Sequence, residues 1–189
     1  HQLTSVHYDV VGMVVKWFVT FLLAVIAFAV QRYRPSDFGL GRFHWSDALL
    51  GVGGFVIALV VTGAVSGVVT MPNSLSQLQK IAALPLSLRI AVVCTAACCE
   101  EFIFRGFAIE ELASLVRHRW LAGLLSLILF TLGHIGLYGL SAALLIPCIV
   151  GAILTGLYLW RHSLFSCIVM HLFMDGFLIV VVPSFVHAR

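Results

Sequence analysis

Charge is what this chain has least of. Only 10% of its 189 residues are Asp, Glu, Lys or Arg, against roughly a quarter in a soluble domain, and that excludes an ordinary water-soluble globule. A basic face is also missing. The 11 Lys/Arg and 8 Asp/Glu give a net charge of +3, with the basic residues lying mostly between apolar runs, so no nucleic-acid partner is expected. The five cysteines (Cys94, Cys98, Cys99, Cys148, Cys167) all lie inside apolar runs. An odd number in such positions makes no disulfide framework, and they read as small core hydrophobes. Internal repeats and low-complexity tracts are absent from the sequence.

What is present is apolar. Hydrophobic residues make up 61% of the chain and the mean hydropathy is +1.10. Windows of about 20 apolar residues, the length a helix needs to cross about 30 Å of hydrocarbon, recur along nearly the whole length. The fold class predicted is therefore all-α, a polytopic transmembrane bundle with about six spans near 10–30, 46–69, 88–110, 120–138, 141–160 and 163–182. Residues 1–189 form one integral membrane domain in this reading. Pro35, Gly39 and Gly41 break helix between the first two spans, where Trp45 suits an interfacial position. Between the second and third, "SLSQLQKIAAL" is too polar to span and reads as a short helix lying along the surface. Arg32, Arg34, Arg42, Arg117, Arg119 and Arg161 fall in the first, third and fifth connections, whereas the second and fourth hold only Lys80, with Arg89 at the edge of span three. By the positive-inside rule the odd connections face the cytoplasm and both termini face outward.

Ionisable groups inside spans are costly and are functional candidates by default. The set is short: Glu100, Glu101 and Arg105 in span three, His134 in span four, His171 and Asp175 in span six. Lys16 lies near the start of span one and can snorkel to the surface. Glu101 and Arg105 are four residues apart and share a helix face, so they can pair. Glu100 points about 100° away from Glu101 and is left free for another partner. Phe130 with His134, and His171 with Asp175, repeat the four-residue spacing. Counted at about 1.5 Å per residue from the ends expected to face the cytoplasm, Glu100 lies about 18 Å deep, His134 about 21 Å, His171 about 12 Å and Asp175 about 18 Å. Groups at such similar depth on three helices are expected to meet around one buried polar cavity. Glu110 and Glu111 read as the solvated end of span three, and Arg117, His118, Arg119, Arg161 and His162 as loop charges that set topology.

A carboxylate and an imidazole sharing a water can act as general base for attack on an amide carbonyl, and a second imidazole can donate to the developing oxyanion. Peptide-bond hydrolysis is the reaction this set predicts. Other nucleophiles fit less well, since there is no GxSxG and an apolar helix disfavours a thiolate at Cys98 or Cys99. Glu, His, His and Asp could ligate zinc. With no HExxH, and with the two histidines 37 residues apart on different helices, neither a metal nor another cofactor is expected.

Glu100-Glu101-x-x-x-Arg105, Phe130-x-x-x-His134 and His171-x-x-x-Asp175 resemble, in order, the three motifs of the CPBP family. That family holds the CAAX prenyl endopeptidases and the bacteriocin-processing and immunity proteins, also called Abi or glutamic-type intramembrane proteases. "RPSDFGLGRFHW" is similar to the family's segment before its second helix. The resemblance implies a metal-independent intramembrane endopeptidase with its catalytic core at about 88–182. Glu100 and His134 would activate water, His171 and residue 175 would bind the oxyanion, and Glu101, Arg105 and Phe130 would support them. The family has Asn or Asp at the last position. As Asp175 cannot donate when ionised, it is either protonated or orients His171. The substrate implied is a membrane-associated, prenyl/CAAX-like or bacteriocin-type peptide, and the setting a prokaryotic cytoplasmic membrane. A non-catalytic binding or immunity protein of the same fold, and a proton-coupled transporter using the buried carboxylates, are the competing readings.

Overall fold

The computed structural model describes residues 2–69 and 79–186, and among them there are helices and turns but no strands. Six long helical runs make the fold. Helix α1 (Gln2–Ala24) continues through wider π turns at Val25–Val30, and α2 is Trp45–Ser66. Helix α3 is a continuous run in three parts, Leu86–Glu100, a π stretch Glu101–Ala108, and Ile109–Val116. Helix α4 is Arg119–Gly133 with a further turn Ile135–Tyr138, and α5 is Leu145–Arg161. Helix α6 is Leu164–Asp175, prolonged by π turns Gly176–Val181 and the turn Val182–Val186.

Five stretches are long and apolar enough to cross a membrane: Val10–Val30, Trp45–Ser66, Arg119–Tyr138, Ala142–Arg161 and Leu164–Ser184. Helix α3 is long enough but carries Arg89, Glu100, Glu101, Arg105, Glu110 and Glu111, and with it the spans number about six. The protein is an all-α polytopic membrane bundle. Of the surface helix expected after α2, residues 70–78 lie outside the described residues, while 79–82 are helical.

The helices occupy different depths in the bundle. Half of the α5 span is buried in the protein, against 6% of the α1 span. Helix α1 therefore presents Val14, Phe18 and Phe21 outward, which suits acyl chains. Helix α2 approaches α6 through small residues: a Cβ on Gly51 would lie 2.7 Å from the Ser166 carbonyl oxygen, and one on Gly54 2.8 Å from Met170 Sδ. Such close backbone approach is how membrane helices gain contact without a hydrophobic driving force. The core formed by Phe102, Ile109, Leu154, Tyr158, Met170 and Met174 fixes α3, α5 and α6 against one another.

The connection between α1 and α2 is also structural. Pro35–Phe38 forms a 3₁₀ turn whose Asp37 carboxylate accepts from the Arg34 N–H (2.8 Å), and Asp47 does the same for His44 at the start of α2 (3.1 Å). Gly39 has φ +69° and offers its carbonyl to the N–H of Leu164 (2.9 Å). That left-handed turn seats Phe38, fully buried, beside Phe28, Phe102 and Phe107.

Candidate active site

Helix α3 changes winding where its acidic residues begin. Glu100 ends the α-helical part and Glu101 opens the π stretch, and short π segments within α-helices are often found at functional sites. Glu101 and Arg105, both 0% exposed, form an ion pair of 3.0 Å. The guanidinium is held further by the Gly151 carbonyl at 3.2 Å and by the Phe130 ring, 4.3 Å from its centre. Arg105 thus links α3 to α4 and α5. A buried ion pair needs such added hydrogen bonds to offset desolvation, yet Glu101 Oε2 and Arg105 Nε are buried with no partner.

The same Glu101 Oε1 lies 2.6 Å from His171 Nδ1. His171 Nε2 faces Asp175 Oδ2 at 3.4 Å, so both ring nitrogens meet carboxylate oxygens. His171, Asp175, Glu101 and Arg105 form one connected set across α3 and α6.

Glu100 and His134 have other partners. The Glu100 side chain, 13% exposed, pairs through Oε1 with the Lys16 ammonium of α1. His134 stands at the end of α4 with Nδ1 2.8 Å from the Phe130 carbonyl oxygen. A carbonyl only accepts, so Nδ1 carries the hydrogen and Nε2 of the neutral ring is left as an acceptor. The Phe130 and His134 rings lie 4.6 Å apart, which connects this histidine through Phe130 to Arg105.

Two expectations change. Lys16 does not snorkel to the surface: its head group is taken by Glu100, because α1 packs on α3 with the two side chains opposed, and Trp17 Nε1 donates to Thr95 Oγ1 (3.1 Å) one residue along. Glu110 is not a solvated helix end. It is 14% exposed and receives Arg119 (2.8 and 2.9 Å), the Tyr158 hydroxyl (2.9 Å) and His162 Nε2 (3.2 Å). Arg119 and His162 therefore tie α3, α4 and α5 together, and Arg161 is held by Asp47 of α2 (3.3 Å). A cavity beside α6, about 520 Å³, is apolar and lined by Phe55, Ile90, Val93, Leu172, Phe173 and Gly176 among others, with none of the six mid-span ionisable groups in its wall. Among the described residues no three His, Cys, Asp or Glu are gathered as metal ligands.

Sequence reasoning missed Lys16 as a partner of Glu100, the Gly151 carbonyl and the π winding. Only the close approach of small residues could have hinted at Gly151. No curated protein and no solved structure matches the chain. One protein-family model does, the Rce1-like type II CAAX prenyl endopeptidase, over residues 82–177. That stretch is half of the chain and contains Glu100, Glu101, Arg105, Phe130, His134, His171 and Asp175, the residues whose partners are given above. With the three motifs in order inside the matched segment and carried on membrane-spanning helices, the chain belongs to the Rce1-like family of type II CAAX prenyl endopeptidases.

Proposed function

We propose that the protein hydrolyses a peptide bond within or at the edge of the membrane by a water that Glu100 and His134 activate. The water oxygen attacks the amide carbonyl carbon while its proton passes to Glu100. The C–N bond then breaks, and the proton is returned to the departing amine nitrogen. The observation that supports this reading is the hydrogen bond that fixes His134 Nδ1 on the Phe130 carbonyl, which leaves Nε2 as the ring nitrogen able to accept a proton.

His171 is the oxyanion donor in this scheme. Flanked by Glu101 and Asp175, its ring is suited to carry both protons, since only that form donates from both nitrogens. The Asp175 contact is the long one, so a substrate oxygen entering near Nε2 competes with it. Asp175 then acts as an acceptor that orients His171. Glu101 and Arg105 hold the histidine in place and do not touch the scissile bond. No metal enters this scheme, in which the water's proton passes to Glu100.

The substrate is a prenyl/CAAX-like or bacteriocin-type peptide, and the enzyme resides in a prokaryotic cytoplasmic membrane with both termini outside, the orientation that the arginines of the odd connections favour. Purified protein in detergent should cleave a farnesylated CAAX peptide or a bacteriocin-type leader peptide, and both Glu100→Ala and His134→Ala should abolish the cut. Cleavage that survives in Glu100→Ala removes that carboxylate from the mechanism. A biological phenotype that survives both substitutions identifies a non-catalytic member instead.

A further inference from the structure

Helix α1 lies outside the matched segment 82–177, yet it delivers a charge to the site. Between residues 10 and 30 Lys16 is its single charged residue, and that ammonium meets Glu100 Oε1. The other nearby cation is committed elsewhere: Arg105 is held by Glu101, the Gly151 carbonyl and the Phe130 face. On α6, His171 is engaged by Glu101 and Asp175, and His134 of α4 by the Phe130 carbonyl. Two hydrogen bonds that do not touch the pair lie nearby: Trp17 Nε1 donates to Thr95 Oγ1 between α1 and α3 (3.1 Å), and Thr20 Oγ1 donates to the Lys16 carbonyl within α1 (2.8 Å).

We propose that Lys16 is a positioning residue for the reaction, holding Glu100 by Oε1 and so orienting its carboxylate with Oε2 left to accept from the water. This rests on the reading of Glu100 as the base. A carboxylate with no fixed partner turns to whatever donor is in reach, and a misdirected oxygen takes no proton from water. The cation thus comes from the span that is least buried of the five long apolar ones.

The test measures kcat and KM on a fluorogenic farnesylated CAAX peptide in detergent micelles. Lys16→Met should lower kcat by about tenfold or more with KM changed by less than about threefold, the pattern of a group that acts only in the transition state. Lys16→Arg should restore most of kcat. Trp17→Phe, which removes the neighbouring hydrogen bond between α1 and α3 without touching charge, should leave kcat within about twofold. If Lys16→Met does not fold, Lys16→Gln takes its place. Wild-type kcat in the uncharged variants beside an inactive Glu100→Gln overturns the role of Lys16 alone. Equal losses in Lys16→Met and Trp17→Phe reduce it to helix docking and overturn it as well. Cleavage retained in Glu100→Gln overturns the general-base reading, and the positioning role with it.

Discussion

Helix α3 carries two ionic clusters that look alike in sequence and differ in structure. At mid-span, Glu101 shares one oxygen between Arg105 and His171 while its other oxygen and Arg105 Nε are buried without partners. At its end, Glu110 is saturated by Arg119, Tyr158 and His162. The end cluster spends all its capacity on holding α3, α4 and α5 together. The mid-span cluster joins α3 to α6 through His171 and leaves Glu101 Oε2 and Arg105 Nε without partners. Burial alone does not distinguish the two; their partners do.

Substitutions can break this contrast. The largest effect belongs to Glu100→Ala, which should cut kcat by about a hundredfold or more in a peptide-cleavage assay, the usual worth of a general base. Arg105→Met comes next. It takes the guanidinium from the buried Glu101, which keeps only His171, and should cost about 3–5 kcal/mol, read as a lower unfolding temperature in detergent together with lost activity. Gly39→Ala should destabilise by about 1–2 kcal/mol, since φ is +69° and a Cβ would stand 2.9 Å from the Leu164 N and 3.0 Å from Tyr158. Its strain falls on the end cluster, so kcat at a temperature where the protein is folded should hardly change. Glu110→Gln keeps an acceptor for Tyr158 and loses only partly exposed ion pairs, so about 1 kcal/mol of stability and little activity should go. The smallest effect sharpens the contrast from the other side: thorough chelation should leave cleavage unchanged, with no zinc found by elemental analysis.

Apolar length made most of the fold readable. The spans expected at 10–30, 46–69, 120–138, 141–160 and 163–182 correspond to Val10–Val30, Trp45–Ser66, Arg119–Tyr138, Ala142–Arg161 and Leu164–Ser184, because the hydrocarbon thickness sets the number of residues and few polar ones interrupt them. Helix α3 was legible for the opposite reason, through charges that have no place in lipid. Its winding was not. A count at 3.6 residues per turn cannot show that Glu101–Ala108 runs as π turns.

The pairing of Glu101 with Arg105 followed from spacing along one helix. The pairing of Glu100 with Lys16 did not, because the two are 84 residues apart in sequence and meet only through the packing of α1 on α3. Glu110 misled for a related reason. At a helix end a carboxylate is usually solvated, and only the close turns at Arg117 and His162, both with positive φ, bring Arg119 and the His162 ring back over it.

The central claim is that peptide hydrolysis takes place at the mid-span acids and imidazoles and not at the end cluster. A structure of the protein with a phosphinic peptide, whose tetrahedral phosphorus imitates the attacked carbonyl carbon, tests it most directly. The account predicts the two phosphinyl oxygens at about 3 Å from Glu100 and from His171 Nε2, with Asp175 drawn away from the ring. A phosphinyl group bound beside Glu110 and Arg119, or anywhere out of reach of both Glu100 and His171, would contradict it.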